Sequence, residues 1–208
     1  MQGMDDTHDD QPDRSSCLFG TASTQHGYFT AAQARACGFD WSALTRHAQS
    51  GRFIRVSRGL YRLRDYPSSP REEVAATWLA VGPTHAVVSH ESALDLLELS
   101  DIIPDSIHLT VPRSMRYLRP IPGVTIHTLS EPLRPDEVIS RKGIRLTSPA
   151  RTILDTAAAG AAPEQIELAV VQSVRRGMIV PWQLELDARE RGRRVGRLVA
   201  DALQRVAS

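Results

Sequence analysis

Lysine is nearly absent from this chain of 208 residues: Lys142 stands alone, and the other 24 basic residues are arginines. Cysteine is equally scarce. Cys17 and Cys37 make neither a disulfide framework nor a metal-ligand pattern, and a reducing interior suits them. No apolar run approaches the length of a membrane span. The opening segment MQGMDDTHDDQPDRSS is acidic and has no apolar core, which excludes a secretory signal. These absences together lead us to expect a cytoplasmic protein. There is no phosphate-binding glycine loop and no G-x-S-x-G nucleophile elbow. One further absence is local. Residues 41–64, WSALTRHAQSGRFIRVSRGLYRLR, contain no Asp and no Glu.

That same stretch carries six arginines: Arg46, Arg52, Arg55, Arg58, Arg62 and Arg64. The chain as a whole has a net charge of only +1. Residues 1–19 carry a net −4, residues 20–66 a net +5, and residues 67–208 a net 0. An acidic tail and a basic module therefore hide inside a neutral total, and such sign asymmetry hints at nucleic-acid binding. A hydrophobic content of 41% and a charged content of 24% are ordinary for a globular protein. The length suffices for one large domain or two small ones.

Residues 1–16 are polar and acidic and cannot bury enough apolar surface to offset chain entropy, so disorder is expected there. Thr30 followed by Gln33 is a capping box that starts a helix near Ala31. Gly38 ends it as a C′ residue. Asp40 or Ser42 then caps a second helix, Trp41 to Gln49, stopped by Ser50-Gly51. The interval of three or four residues between them is that of a helix-turn-helix. After Gly51, the short β-branched and aromatic runs FIRVS and LYRL flank Ser57-Arg58-Gly59 as a hairpin. Helix, tight turn, helix and two-stranded ribbon make a winged helix-turn-helix over residues 17–66.

RDYPSSPREE reads as a linker, with Ser69 capping a new helix, Pro70 at its first position and Glu72 in its first turn. Residues 67–208 alternate element types. A helix covers about 71–81, a strand runs 86–89, and Ser89 caps HESALDLLEL. Strands follow at IHLTVP and VTIHTL, then a hairpin of VIS and IRLTS around Arg141-Lys142-Gly143. Ser148-Pro149 opens ARTILDTAAAG, and the rest is helical. In the last helix Val195, Leu198, Val199, Ala202, Leu203 and Val206 follow the i, i+3, i+4, i+7 rule and form one buried face. The expected fold class is α+β: a winged helix-turn-helix domain followed by a mixed α/β domain with a mostly antiparallel sheet and C-terminal helices.

In a winged helix-turn-helix the second helix enters the major groove. Leu44 and Ala48 share its inward face, leaving Ser42, Thr45, Arg46 and Gln49 outward. Arg46 can pair with guanine through two hydrogen bonds and Gln49 with adenine. Arg52, Arg55, Arg58 and Arg62 are the candidates for phosphates or a groove, with Arg58 at the wing's turn. A carboxylate among them would repel the DNA backbone, which accounts for the missing acids.

The ordered motifs GYFTAAQA, GRFIRVSRGLYRL, VVSHESALDLLEL, IHLTVP and TSPARTILD, spanning about Gly27 to Gly177, resemble the AbiEi-type antitoxins of type IV toxin–antitoxin systems. The resemblance implies an N-terminal domain that binds double-stranded operator DNA and represses its own operon. It also implies a second domain, residues 67–208, that counteracts a nucleotidyltransferase toxin, with no enzymatic activity and no cofactor of its own. Family members carry a helix ahead of the GYFT segment. Here SSCLFGTASTQH is a weak helix former, with Leu18, Phe19 and Ala22 as its packing residues.

Other constellations read as structural. Arg151 and Asp155, four apart, fit an i, i+4 ion pair. Ser89, His90, Glu91, Ser92 and Asp95 are the residue types of a hydrolase at the wrong spacing for a triad. His108 and His127 could meet in space, but no cysteine or carboxylate stands at ligand spacing, so no metal site is expected. The C-terminal arginines 189, 191, 193, 194, 197 and 205 suit a solvated face, a DNA contact or a docking face. A single winged helix reads few base pairs, so two copies on repeated half-sites are expected. The competing reading is a ligand-responsive winged-helix regulator without a toxin. A nuclease would need a carboxylate cluster that the second domain does not supply.

Overall fold

The computed structural model describes residues 13–206, and the chain divides into two compact units between Ser69 and Pro70. The disorder expected for residues 1–16 falls, for residues 1–12, outside the described residues. Arg14, Ser15 and Ser16, inside that stretch, are helical instead of disordered.

The first unit begins with α1 (Arg14–Ser23), where Asp13 accepts a hydrogen bond from the Ser15 backbone N–H. This is the helix that the weak segment left open. Burial of Leu18 and Ala22 holds it, whereas Phe19 stays 58% exposed. Then come β1 (Tyr28–Thr30), α2 (Ala31–Ala36), α3 (Trp41–Gln49), β2 (Phe53–Ser57) and β3 (Leu60–Leu63). The capping box forms: Gln33 N–H donates to Thr30 Oγ1 at 3.1 Å and Thr30 N–H to Gln33 Oε1 at 2.8 Å. The three strands pair antiparallel in the order β1-β3-β2. Phe29, Phe53 and Tyr61 converge under this sheet, Phe29 lying edge-on to Phe53 at 5.0 Å and stacked on Tyr61 at 5.8 Å. Gly27 has φ +83°, and a Cβ there would lie 2.5 Å from Tyr66. No other residue fits that approach without displacing the aromatic ring that closes this end of the unit.

One expectation from cysteine arithmetic is overturned. Cys17 on α1 and Cys37 at the end of α2 are joined in a disulfide, with Cα atoms 5.6 Å apart. Two cysteines are too few for a recognisable framework, and their meeting depends on how α1 docks, which spacing alone does not give. Cys17 and Cys37 lie in the same core as Leu18 and Ala34, so packing already draws them together. The crosslink spans 20 residues. Reduction is therefore expected to cost the first unit roughly 3 kcal/mol through loop-closure entropy. Denaturant midpoints with and without reductant, and of Cys17→Ser/Cys37→Ser, measure it. Identical midpoints would mean the bond constrains nothing.

The second unit comprises α4 (Glu72–Val81), β4 (Val87–Val88), α5 (His90–Leu97), β5 (Ile107–Pro112), β6 (Val124–Leu129), β7 (Val138–Arg141), β8 (Ile144–Thr147), α6 (Pro149–Ala159), α7 (Pro163–Arg175), α8 (Pro181–Glu190) and α9 (Arg193–Val206). Ser69 does not cap α4. Its hydroxyl contacts His26 Nδ1 at 2.6 Å, and α4 starts at Glu72 without a side-chain cap. The sheet order is β6-β5-β4-β8-β7. β5–β6 and β4–β8 pair parallel, while β4–β5 and β7–β8 pair antiparallel. The sheet is thus mixed rather than mostly antiparallel. The return from β5 to β6 passes through a loop long enough to reverse the chain, so the two strands run in the same direction. α9 packs on α7 and α8, burying Val195, Val199 and Ala202 along its apolar stripe.

Arg151 accounts for much of the polar order in this unit. Its guanidinium donates to Glu137 at 2.9 Å and to Asp155 at 2.7 Å, and Asp155 takes a second arginine, Arg191, at 2.9 Å. The i, i+4 pair expected from SPARTILD is present, inside a larger network. Burial pushes the Glu137 carboxyl up. The Arg134 backbone N–H and the Arg151 guanidinium outweigh that and leave it below its ordinary value. A carboxylate lowered by folding stabilises above its unfolded pKa and loses that contribution as pH falls through the folded one. Glu137→Gln should therefore be less stable than wild type at neutral pH, and the gap should close on acidification below the ordinary carboxylate range. Urea unfolding of both proteins across pH checks this. A gap that does not change with pH would contradict it.

Candidate nucleic-acid interface

Asp40 begins the site. Its carboxylate accepts from the Ala43 backbone N–H at 2.6 Å and from the Ser42 hydroxyl at 2.8 Å, which fixes the first turn of α3. These two bonds, the backbone one foremost, hold the Asp40 carboxyl below its usual value. Ala43 and Leu44 are buried under α3 and Ala48 is partly buried beside them. With that face committed to the core, Ser42, Thr45, Arg46 and Gln49 are exposed on the other. The Thr45 hydroxyl turns back to the Trp41 carbonyl at 2.9 Å.

Beside α3, β2 starts in the core at Phe53 and leaves it. Arg55, Val56, Ser57 and Arg58 are all exposed. The ladder shifts register between Arg55 and Ser57, a bulge of the kind that bends and twists a ribbon. Gly59, at φ +77°, makes the turn. Arg52, Arg55 and Arg58 are exposed along this ribbon, and among the described residues no salt bridge engages them or Arg46. Four guanidinium groups thus share the ribbon and the exposed face of α3.

Arg62 differs from the others. It is 8% exposed, its Nη2 donates to the Tyr66 carbonyl at 2.8 Å, and its guanidinium lies 5.6 Å from the Tyr28 ring centroid. β3 is the central strand, so its side chains are covered on both sides, and Arg62 ties down the chain leaving the sheet. Alternation along LYRL predicts a face but not how deep the strand lies. Arg64 is likewise engaged, with the Gly51 carbonyl. Sequence reasoning missed Trp41, 58% exposed at the start of α3. An indole at the first position of a helix whose core contacts are Ala43 and Leu44 is the signal that would have found it.

In the second unit, Asp95 pairs with Arg71 at 2.9 Å. Four of the C-terminal arginines have partners inside the unit: Arg189 with Glu185, Arg191 with Asp155, Arg205 with Glu167, and Arg194 with the carbonyls that end α6. His108 and His127 do meet, at 3.0 Å, and His90 joins them, which sequence reasoning did not foresee. Burial, then the neighbouring His127 and His108, push the His90 imidazole down to about 3; burial also lowers His108 and His127. Among the described residues, no helix is long and apolar enough to cross a membrane.

Residues 21–64, which contain β1, α2, α3 and the hairpin, match the protein family described as "Transcriptional regulator, AbiEi antitoxin". The fold of the chain is similar to that of a solved structure, the RV2827C protein from Mycobacterium tuberculosis, with a TM-score of 0.52 at 16% identity, covering 94% of this chain and 78% of that one. No curated protein matches.

Proposed function

We propose that this protein is the antitoxin of a type IV toxin–antitoxin pair and the repressor of its own operon. Its first unit acts as a winged helix-turn-helix, with α3 as the recognition helix and β2–β3 as the wing. Arg46 and Gln49 read base edges, Ser42 and Thr45 border them, and Arg52, Arg55 and Arg58 hold phosphates or a groove. Arg62, buried in the sheet, positions the wing instead of touching DNA. The observation that carries this reading is the acid-free set Arg46, Arg52, Arg55 and Arg58, exposed on α3 and the adjoining ribbon, inside the segment that matches a regulator family. The second unit counteracts a nucleotidyltransferase toxin, by contact or by opposing its effect, and the protein acts in the cytoplasm without enzymatic activity. Two copies bind repeated half-sites.

A reporter driven by the chain's own upstream region, in cells with and without the protein, tests repression. Co-expression with a nucleotidyltransferase encoded beside it tests rescue from toxicity. Repression together with rescue is the expected result. Repression without a neighbouring toxin would favour the second reading, a ligand-responsive regulator, for which the histidine cluster of the second unit is the supporting observation.

A further inference from the structure

Three imidazoles from three elements converge in the second unit. His90 opens α5, His108 lies on β5 and His127 on β6. β5 and β6 run parallel, with His108 opposite Thr125 and Thr110 opposite His127, a ladder of six residue pairs. Side chains alternate along a strand, so His108 and His127 stand on one face of adjacent strands, two pairs apart along the ladder. His108 Nδ1 lies 3.0 Å from His127 Nε2, and the His90 ring stacks on the His127 ring with centroids 3.5 Å apart. One ligand-capable nitrogen from each of the three falls within 4.8 Å of the other two.

The surroundings hold these rings in place. Ser89 Oγ lies 2.9 Å from His90 Nδ1 and accepts a hydrogen bond from Thr110 Oγ1 at 2.8 Å. The His108 backbone N–H donates to Ser92 Oγ at 2.9 Å, and the Ser89 N–H to the His108 carbonyl at 3.0 Å, which ties α5 to β5. His90 itself has φ +51°, a left-handed conformation that few non-glycine residues adopt, though histidine does so more often than most. Backbone strain of this kind concentrates at binding sites, where the surrounding structure imposes it. His108 Nδ1 and His127 Nε2 face each other, while His90 Nδ1 is held by Ser89 and leaves Nε2 as its ligand atom.

We propose that His90, His108 and His127 bind a divalent transition-metal ion of the borderline-soft class, zinc foremost, through three imidazole nitrogens, with a fourth position open to water or an exchangeable ligand. Imidazole donors suit zinc, nickel, copper and iron, whereas magnesium and calcium require oxygen. Tetrahedral zinc with nitrogens at about 2.0–2.1 Å sets its donors about 3.4 Å apart. The His108–His127 separation of 3.0 Å is close to that value, and turning the His90 ring out of its stack on His127 would bring the third donor to the same ion. Ser89 and Thr110 supply the outer-shell contact that orients a ligand imidazole. His90 is buried while His108 and His127 are half-buried, so the ion would be reached from the side of the two strands.

This inference is independent of the DNA-binding reading, because its test uses the metal alone. The full chain, purified without a histidine tag and stripped of metal, is titrated with cobalt(II) and followed by visible absorption, then with zinc by calorimetry. The expected result is one cobalt per chain with the intense ligand-field bands of a low-coordinate site, displaced by zinc and unaffected by magnesium. His127→Gln and His108→Gln should each weaken zinc binding at least about a hundredfold, since loss even of an outer-shell partner costs 10- to 100-fold. His85→Gln, an exposed histidine outside the cluster, should leave it unchanged. Circular dichroism reports whether each variant is folded, and a zinc-dependent rise in the wild-type melting temperature gives a readout that needs no variant. No stoichiometric binding to wild type at micromolar metal, or folded cluster variants that bind as wild type does, would overturn the proposal.

Discussion

Reversing two charges on the β2–β3 hairpin, Arg55→Glu with Arg58→Glu, should abolish the proposed specific binding to the upstream DNA, with affinity falling by roughly two to three orders of magnitude at moderate salt. Each phosphate neutralised by a cation releases condensed counterions, and log affinity falls with log salt by about 0.9 per contact. On the proposed reading, phosphate contacts by the three ribbon arginines, Arg52, Arg55 and Arg58, should give a slope of about 3 per bound copy. The double variant should flatten that slope by about 2 per copy as well as weaken binding. Both positions are exposed at the end of the hairpin, so a charge there disturbs no core contact and the fold should persist. Gln49→Ala should behave differently. It should relax sequence preference by about 1–3 kcal/mol while leaving the salt slope intact, because a base contact carries specificity and little of the counterion term. Fluorescence anisotropy on labelled duplexes separates the two. If the double variant bound with wild-type affinity and slope, the hairpin would not be a phosphate-contacting surface.

The second large effect belongs to the other unit. Asp155→Ala is expected to destabilise it by about 3–5 kcal/mol, because one carboxylate serves two arginines in a buried network. The Asp155 side chain is 6% exposed and that of Arg151 10%, so water cannot replace the lost partner there. Arg191 is about a third exposed and its share is correspondingly screened. For a unit of this size the loss corresponds to a fall of about 10–15 °C in melting temperature. Arg191→Ala should cost far less, since Asp155 retains Arg151 at 2.7 Å. Equal losses from Asp155→Ala and Arg191→Ala would show that the Arg151 pair adds little.

How far the sequence foretold this depends on the range of the signal. Local chemistry read through well. The Thr30–Gln33 box, the Asp40 cap, the Gly59 turn and the stripe of α9 are each decided within a few residues, and each forms. The exposure of Ser42, Thr45, Arg46 and Gln49 followed from the inward face of α3. What required tertiary information did not read through. The direction in which β6 runs beside β5 is a property of the loop between them, and its strand pattern is the same for either direction. Arg62 alternates like its neighbours, yet β3 is central and the side chain is buried. The Cys17–Cys37 bond and the third histidine depend on elements distant in sequence. His108 and His127 were visible as strand residues, but His90 looked like the first residue of a capped helix, and only folding brings α5 onto their face of the sheet.

The most direct test of the central claim is binding of the purified wild-type chain to its own upstream DNA and to a scrambled duplex of the same composition, across a salt series. The account predicts a clear preference for the upstream sequence and affinity that falls steeply with salt for both duplexes. Binding to the two that is equally weak, with no preference and little dependence on salt, would contradict it.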